Sequence, residues 1–241
     1  MAKRKSSRAA RKAQAHPGGL WARLRRRVLR WGLIAVAAVL GLVLLFSQVN
    51  PPWGLYMIGE YRRTGSVDRQ WVPMAQISPQ MARAAVAAED ANFCLHWGFD
   101  MGEIRQALAS GGGRGASTIS QQVVKNVFLW HGRSWPRKAM EASLTPVVEL
   151  FWSKRRILEV YLNVAEFDSG VFGVEAAARH YFGVAAADLS PVQAARLAAI
   201  LPDPKGRDPV RPSPFVQRRA AAIMDGAATI LADGRAGCFQ H

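Results

Sequence analysis

The sequence has little cysteine: Cys94 and Cys238 are the two in 241 residues. That excludes a disulfide framework and a cysteine-rich zinc site. Acidic residues are also scarce, 17 Asp and Glu against 32 Lys and Arg. None of them lies in residues 1–30, and no charge of either sign lies between Arg30 and Glu60. Strand-like alternation is rare, with 69–77 the best candidate, and no internal repeat is present. Apolar mass is abundant. Half the residues are hydrophobic and 9% aromatic, which excludes a disordered or collagen-like chain and supplies a core. The length suits one domain with an appendage.

The formal charge of +15 is concentrated at one end. Residues 1–30 hold eleven Lys and Arg, leaving a net of +4 for residues 31–241. Taken alone, such an arm suits nucleic acid or an acidic surface. The neighbouring segment decides otherwise. Trp31–Val49 is nearly all apolar, and its length at about 1.5 Å per residue spans roughly 28 Å, a bilayer's hydrocarbon thickness. Trp31 stands at one end and Trp53 and Tyr56 just past the other, where interfacial aromatics belong. The sequence therefore divides into a basic cytoplasmic arm (1–30), a transmembrane anchor (31–49) and an exported domain (50–241), because positive flanks stay inside. A cleaved signal peptide is the rival, but SQVNPPWG offers no small-x-small site. Contact with anionic lipid is a secondary role for the arm.

The exported part reads as mainly α. Ser78-Pro79 opens a helix through Ala88. Asp100 with Glu103 starts one over 101–109. Ser110–Gly115 is a flexible loop, and Ser117 or Thr118 caps a helix to Phe128. Ser134 opens a long one to about Trp152, bent at Pro146. Further helices cover 154–163 and 173–183, the latter closed by Gly183. Ser190-Pro191 and Ser213-Pro214 open the last two.

Four segments carry residues suited to chemistry. In EDANFCLHWG (Glu89–Gly98) an acidic pair ends an alanine-rich helix. A partly desolvated Glu89 would have its pKa raised toward that of a working base, against the bland reading of a solvated helix end. His96 reads as a structural hydrogen-bonder, since no second histidine lies at metal-ligand spacing. In GASTISQQVVKN (Gly115–Asn126) a glycine-rich loop runs into a helix N-terminus, which attracts anions; Gln121 and Lys125 share a face. It lacks the Walker spacing. In RSWPRKAME (Arg133–Glu141), Arg137 and Glu141 are four apart, by default a surface ion pair of little worth. KRRILEVYLN (Lys154–Asn163) is an amphipathic helix whose Ile157, Leu158, Tyr161 and Leu162 read as core.

Together and in this order, the four segments resemble the family 51 glycosyltransferases: the peptidoglycan glycosyltransferase domain of bifunctional penicillin-binding proteins and its stand-alone form. Glu89, Asp90, Phe93, His96 and Gly98 match the EDxxFxxHxG pattern, and Gly115 through Asn126 match G(G/A)STIxQQxxKN. Arg137, Lys138 and Glu141 match RKxxE. Lys154, Ile157, Leu158, Glu159, Tyr161, Leu162 and Asn163 match KxxILExYLN. A looser block, Gly170–Gly183, also fits, so the resemblance covers about 55–205.

The resemblance implies a lysozyme-like, two-lobed, mainly α domain behind one transmembrane helix. It implies that lipid II is polymerised into β-1,4 glycan, with the growing chain as donor and undecaprenyl pyrophosphate released. Glu89 becomes the general base and Glu141 the second essential carboxylate. Ser117, Thr118, Gln121, Gln122, Lys125, Arg133, Arg137 and Lys138 become the substrate and pyrophosphate residues. Asp90, Phe93, His96, Gly98, Asn126, Glu159 and Asn163 carry the structural motif. No cofactor is obligatory, with a divalent cation such as Mg or Mn the candidate near Glu141. The implied partners are lipid II, the glycan chain, membrane lipids and other cell-wall synthesis proteins, with no nucleic acid. The implied location is the bacterial inner membrane, single-pass, with the N-terminus in the cytoplasm. The residue types suit this chemistry independently. A pyrophosphate leaves as an anion, so the need is one base and fixed positive charge, whereas a glycosidase needs a carboxylic acid of raised pKa. Leu55, Met57 and Ile58 are candidates to hold the domain on the membrane.

Two other readings stand beside it: a lysozyme-like muramidase or lytic transglycosylase, and a non-enzymatic membrane-anchored scaffold. The absence of Ser-x-x-Lys and Lys-Thr-Gly points to an enzyme without transpeptidase activity. The sequence leaves open whether Cys94 and Cys238 pair or stay as separate buried thiols.

Overall fold

Capping residues in the sequence set most element boundaries. The computed structural model describes residues 18–111, 117–130, 132 and 134–240, with side chains from residue 21. Arg133, Gly115 and Ala116, and most of the expected flexible loop, lie outside the described residues. The described residues up to Leu44 and those from Leu45 onward form two compact units.

Helix α1 spans Gly18–Phe46, and its stretch Trp21–Phe46 is long and apolar enough to cross a membrane. It begins well before Trp31. Arg23, Arg25, Arg26, Arg27 and Arg30 lie inside it, because arginine is a good helix former and a charge run does not end a helix. The division expected at residue 30 therefore separates charged from apolar, not coil from helix. At its other end α1 stops at Phe46, and Ser47–Val49 form a turn.

In the second unit α2 covers Leu55–Thr64 and is closed by a left-handed Gly65. Met57 on α2 is buried while Leu55 is exposed, so Met57 belongs to the core and not to a membrane-facing surface. Helix α3 is Pro79–Glu89. Ser78 precedes it as expected, but its hydroxyl donates to the Leu189 carbonyl and does not cap. Asp100 accepts from the Gly102 and Glu103 amides and starts α4, Met101–Ala109. Thr118 and Gln121 form a capping box on α5, Ile119–Phe128. Helix α6 is Trp135–Phe151, with Pro146 inside it. Ser153 caps α7, Lys154–Val164. Helix α8, Val174–Phe182, ends at left-handed Gly183. Ser190 with Gln193 boxes α9, Pro191–Ile200, and Ser213 caps α10, Pro214–Ala232. Helix α11 is Gly237–Gln240.

Three short strands form a small sheet in the order β1 (Asp68–Arg69), β3 (Val171–Phe172), β2 (Glu166–Asp168). β1 runs parallel to β3 with Asp68 opposite Val171, and β2 runs antiparallel to β3. Of the expected strand over 69–77, only Arg69 lies in this sheet. Beyond it the backbone is held by side chains of α7. Asn163 accepts from the Val72 amide and donates to the Val72 carbonyl, both at 2.9 Å, and Glu159 accepts from the Met74 amide at 2.8 Å. These two motif residues replace a partner strand.

Helices α3, α9 and α10 pack as one trio, and α5 packs on α6 and α7 as another. The first trio packs closely because its buried faces are alanine-rich: Ala82, Ala84, Ala85, Ala194, Ala195 and Ala198. The C-terminal end of α3 carries Glu89 to the second trio.

Cys94 and Cys238 form a disulfide, with Cα atoms 5.8 Å apart and 144 residues between them in sequence. It ties α11 to the loop after α3. Phe239 packs on buried Phe93 with ring centroids 6.4 Å apart, and Arg235 donates to the Ala91 carbonyl at 2.9 Å. Cys238→Ser, or reduction, is expected to lower stability by about 2–5 kcal/mol, the usual cost of removing a native bond. Thermal unfolding with and without reductant measures this, and coincident melting curves would contradict it.

Candidate active site

Glu89 is the last residue of α3, and its side chain is 13% exposed. It lines a cavity of about 200 Å³ with Asp90, Asn92, Asp100, Glu103 and Ser117. Gln122 on α5 donates to one carboxylate oxygen at 2.9 Å. Arg219 on α10 lies 3.9 Å from the other oxygen and donates to the Ala88 carbonyl at 3.3 Å. Burial pushes the Glu89 pKa above 4.5, while Gln122, Arg219 and Lys125 pull it back. The result is a carboxylate fixed in position and raised in basicity, the state a general base needs. Arg219 lies outside all four motifs, and no local signal in its neighbourhood marks it.

The rest of the first motif holds this corner together. Asp90 is buried and accepts from the Ile119 amide, a free donor at the N-terminus of α5, at 3.0 Å. Its other oxygen meets His96 Nε2 at 2.7 Å. Phe93 is fully buried, with the Lys154 ammonium 4.4 Å from its ring centre. Gly98 has φ +80°, and a Cβ there would lie 2.5 Å from Thr145 on α6. Its carbonyl accepts from the Thr118 hydroxyl at 2.7 Å. The loop is thus clamped between α5 and α6. Asn126 contributes through its backbone: its carbonyl oxygen would lie 2.2 Å from a Cβ at Gly54.

The substrate residues expected on α5 divide by what their polar atoms do. Thr118 and Gln121 are buried and form the capping box, in which the Thr118 hydroxyl oxygen and the Gln121 side-chain oxygen are the acceptors. Gln122 orients Glu89. Lys125 lies one turn beyond Gln121 with its pKa lowered, first by burial. It feels Glu89 and Glu141 at a distance, yet among the described residues no carboxylate forms an ion pair with it. A desolvated ammonium with no ion pair among the described residues is poised to meet an incoming anion.

Glu141 on α6 is not on the surface. It is 2% exposed, with Arg137 at 2.7 Å on one oxygen and Lys138 bonded to the other. Arg137 also donates to the Gly132 carbonyl at 2.6 Å, and Lys138 reaches the hydroxyl of exposed Ser117 at 3.3 Å. Glu141 therefore holds two cations in place. Both oxygens are engaged by positive groups, so a divalent cation there would share or displace one of them. Asp90, His96 and Asp100 bring three ligand atoms within 4.8 Å of one another, but all four carboxylate oxygens already bond Ile119, His96, Asn92 or the α4 amides.

The perturbed groups set the pH dependence. Turnover is expected to fall with acid at a pH above 4.5, where Glu89 takes a proton, and with alkali below 10.5, where Lys125 loses one. Gln122→Ala removes a bond that favours the ionised carboxylate, so it is expected to move the acid limb to higher pH. A pH–rate profile of both proteins checks this; superimposed acid limbs would contradict it.

A buried carboxylate at the end of α3, with the Lys125 ammonium on α5 and the Lys138 ammonium on α6, suits transfer of a group whose leaving partner departs as an anion, as in a helical glycosyltransferase. Comparison with known proteins gives the family. The family model described as Transglycosylase matches residues 57–228. A biosynthetic peptidoglycan transglycosylase of Jannaschia sp. is 59% identical over 223 residues, covering 92% of this chain and 93% of the relative. Proteins of the same name from Ectopseudomonas mendocina and Caulobacter vibrioides are 50% and 44% identical, covering 83% and 89% of this chain and 87% and 96% of those relatives. The chain belongs to the transglycosylase family.

Proposed function

We propose that this protein polymerises lipid II into glycan strands, with Glu89 as the general base. The observation that carries the reading is the desolvated Glu89 carboxylate, oriented by Gln122 and facing the unpaired Lys125 ammonium. The acceptor's 4-hydroxyl gives its proton to Glu89 as its oxygen attacks the anomeric carbon of the growing chain. The bond from that carbon to the pyrophosphate breaks, and the electron pair leaves on the phosphate oxygen. Attack from the opposite face inverts the centre to a β-1,4 link. Lys125 and Arg133 meet the developing charge, joined by Arg137 and Lys138, which Glu141 positions. No step needs a metal.

A hydrolase would use a second carboxylate as acid or nucleophile. Glu141 is already engaged by two cations, which favours transfer. The test is conversion of purified lipid II by the detergent-solubilised protein. Long glycan supports the reading; shortening of existing glycan, or no product, refutes it.

Helix α1 is the natural anchor for an enzyme whose substrate is itself lipid-linked, with residues 1–30 in the cytoplasm and the catalytic domain outside the inner membrane. Membrane lipids and other cell-wall synthesis proteins are then its neighbours. A reporter active only in the cytoplasm, fused after His241, is expected to be silent; a bright signal would reverse the orientation.

A further inference from the structure

Away from Glu89, a cavity of about 240 Å³ opens between α3, α9 and α10, lined by Gln80, Arg83, Ala84, Ala195, Ala227 and Leu231 among others. Arg83 is 6% exposed. Its guanidinium, with five donors, makes one side-chain hydrogen bond, to Gln80 at 2.8 Å. Among the described residues no carboxylate pairs with it. Burial alone perturbs it, pulling its pKa below 12.5, yet arginine remains charged in proteins. None of its nitrogens is both sealed from solvent and without a partner, so its remaining donors are open to an incoming anion. The proposed glycosyl transfer uses neither Arg83 nor this cavity.

The cavity walls limit what can neutralise that charge. Ala84, Ala195 and Ala227 are buried and make an aliphatic lining, while Pro191, Ala228 and Leu231 are exposed at the rim. The volume lies below the roughly 300–1,000 Å³ of pockets for drug-sized ligands. It suits one or two small residues and excludes a saccharide chain. A carboxylate matches the planar fork of a guanidinium with two parallel bonds.

We propose that this cavity binds the terminal carboxylate of a peptide ending in small aliphatic residues, with Arg83 gripping the carboxylate and the alanines packing the side chains. Two sources carry that chemistry: D-residue peptides of cell-wall glycan, and the L-residue C-terminus of a protein.

The test is calorimetric titration of the full-length protein in detergent with N-acetyl-Ala-Ala, in all-L and all-D forms, beside the two C-terminal amides. The acid of at least one form is expected to bind with a Kd of about 1 mM, a modest affinity for a ligand of that size, and its amide at least about tenfold more weakly. Arg83→Gln is expected to lose the same factor. Ala228→Trp, at the exposed rim, blocks entry and keeps the proposal testable should the Arg83 variant misfold. Preference for the D or the L acid assigns the source. Equal binding of acid and amide, undiminished binding to both variants, or no binding of either acid by about 20 mM would overturn the proposal.

Discussion

Glu89→Gln is expected to cut glycan polymerisation by about 10²–10⁴-fold, the usual contribution of a general base, while lipid II binding survives. The amide keeps the shape and can still meet Gln122, but it cannot accept a proton. The same substitution has a second, opposite consequence. The folded state raises the pKa of Glu89 above 4.5, so it disfavours the ionised form. The carboxylate's contribution to stability is present in full below the unfolded pKa and is lost as pH rises through the folded one. At neutral pH the Gln variant therefore gains stability, and below about pH 4 that gain vanishes. An inactive protein with a higher Tm at pH 7 is the expected signature. A variant that keeps most of its rate would remove Glu89 from the role of base.

Lys125→Ala is expected to cost roughly 10²–10³-fold in rate, as losses of comparable preorganised donors do. The ammonium is desolvated and forms no described ion pair, so removing it takes a charge from the leaving group without stranding a buried carboxylate. Its lowered pKa means that the folded state disfavours the cation, so the alanine variant should fold at least as stably. Rate loss without stability loss separates an anion-binding role from a structural one. Arg133→Ala is expected to behave similarly, from its match to the family's pyrophosphate position. Arg62→Ala and Arg218→Ala, both exposed and outside the motifs, are the controls, expected within about twofold because changes at such sites are usually small. Equal, small losses at all four positions would reduce the cations to a solvated face and revive the hydrolase reading.

The parts of this fold that could be read from the sequence are those written locally. Asp100, Thr118, Ser190 and Ser213 each cap a helix within three residues of themselves, so a short window contains the whole interaction. Segment 69–77 failed because its partners, Glu159 and Asn163, are side chains some ninety positions on. An extended backbone held that way carries no alternation. Strands β2 and β3 are too short to show a period. The start of α1 was not legible in the charge pattern, since the arginines before Trp31 also propagate a helix.

In the candidate site, the motifs located Glu89, Gln122, Lys125 and Glu141, but could not say what each polar atom does. Thr118 and Gln121, named by the motif as substrate residues, also form the capping box of α5, a role the motif did not show. Arg137 and Glu141 look like a surface pair and are buried. Arg219 reaches Glu89 across 130 residues of chain, a contact that only tertiary packing creates.

The Cys94–Cys238 bond also sets a clock on the making of the protein. The second thiol is translated 144 residues after the first, and at about 5–20 residues per second Cys94 waits roughly 7–30 s before its partner exists. During that interval any oxidant that captures Cys94 would leave the loop behind Glu89 carrying the wrong adduct. A chain that escapes capture gains its cross-link only after Cys238 emerges, at the segment joined to the loop that follows Glu89.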